Sequence, residues 1–276
     1  PPHWHALVSI AALNAGCDVW CEKPMTRTIA EGQHVIDAVR RNGRMFRLNT
    51  WFRLHSGFYG FGSDVKAIKK LVMHRLLGWP LTVRVSPFTG FGWKLDWAGK
   101  IGKTAGAAET VPPELDYDMW LGPAPYKPYT RHRTHGSFRG YWDYDGGGLA
   151  DMGQHYLDPV QYILEKDDTS PIEVEAHAPW PPHPDACGAW GWVKMRYADG
   201  CEIILDSGEW GEPITRDKPY IEGPKGKLYK GLKTDPADLT EKVKSLPDPE
   251  PQISDFNVSV RTRQKFGLNE VNGFRS

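Results

Sequence analysis

The chain has 276 residues, with 34 Lys and Arg against 34 Asp and Glu and a formal net charge of zero at pH 7. That length accommodates one large domain or two smaller ones with a sizeable core. The balanced charge excludes the single-sign field of a nucleic-acid or membrane-surface binder, and no block of Lys and Arg forms a binding tail.

From the start, the apolar-periodic run 6–13 predicts a helix that stops at Asn14-Ala15-Gly16. Residues 17–21 read as a short buried strand, broken by Glu22-Lys23-Pro24. Thr28-Ile29-Ala30-Glu31 is a capping box for a second helix, which carries Val35, Ile36 and Val39 and stops at Asn42-Gly43. Residues 45–51 form another strand, so helix and strand alternate with the cadence of a parallel α/β sheet. A third helix is expected over 63–77, a strand over 81–87 and a Gly/Trp-rich loop over 88–106. A basic loop over 129–135 follows, and then a glycine-led helix. Strands are predicted over 172–177, 189–197, 202–206 and 220–229, with Asp199-Gly200 as a hairpin turn. Strands that follow one another without helices imply a mainly antiparallel sheet. The domain boundary falls near Arg53, giving units 1–53 and 54–276, and 247–251 reads as an exposed connection.

Cys17, Cys21, Cys187 and Cys201 show neither C-x-x-C nor His at zinc spacing, and read as reduced thiols. His5, His132 and His135 lack acidic or Cys partners at ligand spacing, so no metal is expected. Twelve Trp and eleven Tyr are many for this length and are assigned chiefly to cores and interfaces. No apolar run approaches the roughly 18 residues of a membrane span. No signal peptide is present, and the first residues read as the middle of a domain. The compartment is therefore open between the cytoplasm and, behind a leader, the periplasm.

Two segments carry the chemistry. In the first, Gly146, Gly147 and Gly148 lead into a helix that places Asp151, His155 and Asp158 at about 0°, 40° and −20° on one face. Leu149, Met152, Tyr156, Val160 and Ile163 form the core stripe on another face. A carboxylate and an imidazole on one stripe suit proton transfer, and the glycines let backbone or substrate approach the helix start. Pro159 predicts a kink that turns the Asp158 carboxylate away from the stripe. The second segment, Glu22-Lys23-Pro24, follows the carboxyl end of a parallel strand, where open α/β sheets bind ligands. A lysine there can donate to a substrate hydroxyl or steady developing charge. Upstream of the glycines, Arg131, His132, Arg133, His135, Arg139 and Tyr141 are candidates to line a pocket. Trp51 and Arg53, past another strand, either border a cofactor or pack the domain junction.

Together these segments resemble the Gfo/Idh/MocA oxidoreductases, through Pro2 and His5, Cys21-Glu22-Lys23-Pro24 and Gly146-Gly147-Gly148-Leu149-Ala150-Asp151-Met152-Gly153-Gln154-His155-Tyr156-Leu157-Asp158. The segment Asp116-Tyr117-Asp118-Met119-Trp120-Leu121-Gly122-Pro123-Ala124-Pro125 resembles a branch rich in sugar-processing and sometimes exported members. The resemblance covers essentially the whole chain. It implies an α/β fold: a partial Rossmann-type parallel sheet followed by an α+β domain with a large, mainly antiparallel open sheet. It also implies NAD or NADP near Pro2, His5, Glu22, Lys23, Trp51 and Arg53, and a carbohydrate near Asp151, His155, Arg131, Arg133 and Tyr141. Lys23, Asp151 and His155 are the implied catalytic residues, with His155 as general base and Asp158 behind the site, and a homo-oligomer would form through the open sheet.

The sequence departs from the family in lacking G-x-G-x-x-G, and it reads as starting after the phosphate-binding turn and ending short of the helix that usually follows. Three readings follow. The first is an NAD(P)-dependent dehydrogenase of a sugar, glycoside or cyclic polyol. The second is an NAD-dependent glycoside hydrolase or lyase working by transient oxidation and elimination. The third is an inactive fragment or binding module.

Overall fold

The structure is a computed structural model that describes residues 1–50, 52–54, 65–89 and 107–276. Trp51, the first residues of the expected third helix and most of the expected Gly/Trp-rich loop lie outside the described residues.

Helix α1 (Pro2–Asn14) leads to strand β1 (Val19–Cys21), helix α2 (Ile29–Asn42) and strand β2 (Phe46–Leu48). Both halves of the capping box form: Glu31 N–H donates to Thr28 Oγ1 and Thr28 N–H to Glu31 Oε2, each at 3.1 Å. Gly43 ends α2 in the left-handed region at φ 59°, where a side chain would be strained. Strands β1 and β2 are parallel, with Val19 opposite Phe46. Leu13, Val35, Ala38, Val39, Phe46 and Leu48 close the first core. The apolar positions of α1 and α2 thus meet over the sheet as their spacing requires.

The second core is built on a seven-stranded sheet. Its strands are β3 (Thr82–Val85), β4 (Glu173–His177), β5 (Trp192–Arg196), β6 (Glu202–Asp206), β7 (Ile221–Gly223), β8 (Gly226–Tyr229) and β9 (Lys233–Asp235). They lie in the order β4-β5-β6-β3-β7-β8-β9, with β3 and β6 parallel and the other pairs antiparallel. Helix α3 (Val65–Met73) and helix α5 (Gly147–Ile163) cover one face, and between them in sequence lies the short α4 (Tyr117–Leu121). On α5 the core stripe is as expected: Tyr156, Val160 and Ile163 are buried against the sheet, and Leu149 and Met152 pack at its margin. Burial of each large apolar side chain contributes on the order of 1.5–3 kcal/mol. The opposite face carries a row of paired residues across all seven strands: Glu173, Arg196, Glu202, Thr82, Glu222, Lys227 and Asp235. Adjacent opposite charges on such a row support one another.

Two expectations are corrected. Residues 220–229 are not one strand, because the chain turns back at residues 224–225 and β7 pairs antiparallel with β8. Helix α5 also runs through Pro159 without interruption, so Asp158 stays on the same side as Asp151 and His155. Pro159 still withholds the N–H that would have bonded one turn back.

The tail forms helices α6 (Leu239–Lys244), α7 (Phe256–Thr262) and α8 (Glu270–Arg275). It returns to the first core, where Phe266 and Leu268 are buried and Leu48 N–H donates to Leu268 O at 3.1 Å.

Candidate active site

The polar stripe of α5 faces the first unit, and each of its three residues meets a residue from that side. Asp151 meets Lys23, His155 meets Thr50, and Asp158 meets Arg53. Lys23 stands just past β1, followed by a cis peptide to Pro24. Its Nζ donates to the Asp151 carboxylate at 2.9 Å and also to the Asp151 carbonyl. Arg139, in a 3-10 turn (His135–Gly140), donates from Nε to the same carboxylate oxygen at 2.9 Å. Burial alone would raise the Asp151 carboxyl, but the charges and hydrogen bonds of Lys23 and Arg139 outweigh it and hold it below the usual carboxylate range.

His155 is 7% exposed, and its Nδ1 shares a 2.9 Å hydrogen bond with Thr50 Oγ1. The Phe52 ring lies against it at 4.7 Å between centroids. Desolvation first, and then the charge of Lys23, push the imidazole down to about 4, so it is neutral around pH 7. Gln154 ties the helix down on its next face, accepting from Met25 N–H at 3.1 Å and donating to Gly273 O at 2.7 Å.

The glycines at the start of α5 serve the protein. Gly147 adopts φ 70°, and a Cβ there would lie 2.9 Å from the Cys187 Cβ. Close approach of the chain itself, one of the two uses expected for the glycine run, is met at Gly147.

The other candidates divide. His5 holds Pro24 O through Nδ1 at 2.6 Å and so props the turn that carries Lys23. Pro2 is buried in the first turn of α1, where its missing N–H costs nothing. Glu22 is exposed beside Lys23 and accepts from Asn49. Arg53 is a junction residue: its guanidinium is fully buried between Asp158 and Asp167, with Nε 2.8 Å from Asp158 Oδ1. Burial alone would lower its pKa, but the two carboxylates reverse this and hold it protonated. It therefore has no donor directed at a cofactor.

The basic loop contributes differently from the sequence reading. Arg133 is buried and bonded to Asp185 at 3.0 Å, and the buried Tyr141 shares a 2.8 Å hydrogen bond with His132 Nδ1. Arg131 points to solvent, where its backbone N–H is held by Glu109. The loop residue bonded to the Lys23 cluster is Arg139, through Asp151. Thr50, Gln154 and Asp145 were not singled out by sequence reasoning, because a lone Thr, Gln or pre-glycine Asp carries no spacing signal.

A cleft of about 390 Å³ runs along α1 and β1, lined by Trp4, His5, Val8, Trp20, Cys21 and Glu22 among others. Among the described residues no group of His, Cys, Asp and Glu is placed to hold a metal, and no helix is long and apolar enough to cross a membrane.

A parallel sheet whose strand ends meet a second, mainly antiparallel sheet through a Lys–Asp–Arg cluster defines an α/β protein, with that cluster as its candidate site. The particular family follows from comparison with known proteins. Residues 61–276 match the oxidoreductase family C-terminal alpha/beta domain, and residues 1–50 match that family's NAD-binding Rossmann fold. The chain belongs to the Gfo/Idh/MocA oxidoreductase family. It is 32% identical over 124 residues to inositol 2-dehydrogenase of Salmonella typhimurium, a match covering 45% of this chain and 33% of the relative. The matched part thus spans about a third of the length of that curated relative. Among solved structures, the WlbA dehydrogenase from Bordetella pertussis in complex with NADH and UDP-GlcNAcA superposes with a TM-score of 0.58 at 18% identity, over all of this chain and 70% of that one. An aldose-aldose oxidoreductase from Caulobacter crescentus complexed with glycerol gives 0.53 at 17%, over all of this chain and 71% of that one. At these identities the structures show a shared fold.

Proposed function

We propose that this protein is an NAD(P)-dependent dehydrogenase acting on a hydroxyl of a sugar, glycoside or cyclic polyol. The observation that carries the reading is Lys23 at the end of β1, reaching across the junction to Asp151 beside a neutral, buried His155. The related inositol 2-dehydrogenase and the NADH-bound dehydrogenase fold point the same way. We take 1–53 as the nucleotide-side unit and 54–276 as the substrate-side unit.

The residues present fit the nicotinamide end of a dinucleotide. Glu22 offers an exposed carboxylate to a ribose hydroxyl, and Lys23 and His5 stand at the strand end beside an open cleft. A nicotinamide cofactor held there would supply the hydride acceptor.

The chain's own residues handle the proton and the oxygen. Lys23 donates to the reacting hydroxyl oxygen and stabilises its growing negative charge. His155, neutral at working pH, accepts the hydroxyl proton as the O–H bond breaks. Burial makes the resulting imidazolium costly, and the Asp151 carboxylate offsets that cost while fixing the substrate through its hydroxyls. In the 116–125 segment, Asp116 caps α4 by accepting from Met119 N–H at 2.9 Å, and Tyr117 and Leu121 are buried, so these three serve the fold.

The test is to supply NAD⁺ and NADP⁺ with a panel of cyclic polyols, aldoses and glycosides and to follow reduced nicotinamide. Net reduction with at least one hydroxyl substrate is expected. Failure to bind either nucleotide by calorimetry, or aglycone release without net reduction, would overturn the assignment.

A further inference from the structure

Beside the Lys23 cluster lies a second carboxyl that the mechanism above leaves unused. Asp145 precedes the glycine run and is 2% exposed. Its Oδ1 accepts from Gly146 N–H at 2.7 Å, and its Oδ2 is buried with no hydrogen-bond partner. A buried carboxyl oxygen without a donor is costly when ionised, which is why such groups are normally paired. The charged and titratable groups that face it come from several neighbouring elements: Lys23 after β1, Arg139 in the 3-10 turn, Asp151 in α5 and the Cys187 thiol. Burial pushes Cys187 up to about 12, so it stays a neutral thiol and supplies no charge.

The arithmetic of the cluster is unbalanced, since Lys23 and Arg139 share the single carboxylate of Asp151. We propose that Asp145 is a positioning residue of this site, whose buried carboxyl sets the charge of the Lys23–Asp151–Arg139 cluster. With its proton on, the cluster keeps one surplus positive charge. When the O–H bond breaks and the proton leaves to solvent, Asp145 becomes the second counter-ion and the surplus disappears. Burial first, and then the charge of Asp151, push its carboxyl up to about 7 against the pull of Gly146 N–H, Arg139 and Lys23, which puts this change in the working range. The consequence for turnover rests on the hydroxyl-oxidation reading above. A surplus positive charge favours an oxygen that is becoming an alkoxide, so ionisation of Asp145 lowers the rate on the alkaline side.

The experiment titrates the carboxyl carbons of the full chain by ¹³C NMR and repeats the titration in Asp145→Asn. The expected result is an inflection near pH 7 in the Asp151 carboxyl shift of the wild type, absent from the variant. The folded-state pKa of Asp145 is raised, so its contribution to stability is full below about pH 4 and is lost as the pH rises through about 7. Asp145→Asn therefore melts progressively higher relative to wild type between those values. In turnover, the variant loses the alkaline fall near neutrality. The wild-type Asp151 titration needs no variant, so a misfolded Asp145→Asn leaves the proposal decidable. An Asp151 shift with no inflection near neutrality overturns it. So does an unchanged pH–rate profile in a folded variant. Absence of turnover in every form, with the Asp151 inflection present, refutes the dehydrogenase reading and leaves the charge coupling standing.

Discussion

One carboxylate oxygen of Asp151 accepts hydrogen bonds from two cations at once, Lys23 and Arg139, and that sharing keeps it ionised in a mostly buried place. His155 next to it is the counterpart, a group kept neutral by the same burial. Its lowered pKa fixes the sign of a pH effect. The unfolded imidazole takes its proton near 6.5 and the folded one only at about 4, so the stability present above about pH 6.5 is lost as the pH falls through 4. The difference is about 3 kcal/mol at full titration. Urea unfolding of wild type and His155→Asn at about pH 7 and about pH 4 should show the wild type losing stability relative to the variant at the lower pH. A gap that does not change with pH would mean His155 is not held neutral. At this scale the spacing and strand-end position of Lys23, Asp151 and His155 marked them in the sequence, and the structure bonds Lys23 to Asp151 one turn before His155. It was silent on Asp145, whose importance comes from burial beside side chains remote in sequence. It did not show that Arg133 would bond Asp185 or that Tyr141 would meet His132. A basic loop looks alike in sequence whether its arginines face substrate or a partly exposed Asp185.

Helix α5 is the element on which both cores depend. Its apolar stripe packs the large sheet and its polar stripe packs the first unit, so the periodicity of a single segment already specified the junction. The sequence did not show what Asp158 would meet. The proline after it suggested a turned carboxylate, but packing on both sides keeps the helix continuous, and Arg53 fills the position from the first unit. Removing one member of such a buried pair leaves an uncompensated charge. Arg53→Met should therefore cost about 3–5 kcal/mol, and Arg53→Met with Asp158→Leu should recover most of it. Urea denaturation measures both, and a single-variant loss below about 1 kcal/mol would show that the pair does not hold the junction. Elements with strong local punctuation, such as the Thr28 capping box, Gly43 and the Asp199-Gly200 turn, were legible. Strands β7 and β8 were not separated, although Gly223-Pro224-Lys225-Gly226 carries the glycines and proline that punctuate a tight turn.

Among the described residues, the two larger cores are joined by α5 and by a tail that returns to the first core through Phe266 and Leu268, and a smaller cluster forms around Tyr117, Tyr141 and Tyr144. The mixed architecture was readable from the change of cadence, from alternating helices and strands to strands in succession. The tail's return was not, since a contact between Leu48 and Leu268 leaves no local trace in either segment. The two-core arrangement also explains why the site is assembled from residues more than a hundred positions apart: Lys23 and Asp151 meet only when both cores are in place. The central claim is that these two side chains act as one unit on a substrate hydroxyl, and a double-mutant cycle in turnover tests it most directly. We predict that Lys23→Met and Asp151→Asn each lower kcat/KM by about 10²–10⁴-fold, and that the double variant falls no more than about tenfold below the worse single one. Near wild-type turnover in both single variants, or losses that simply multiply, would contradict the account.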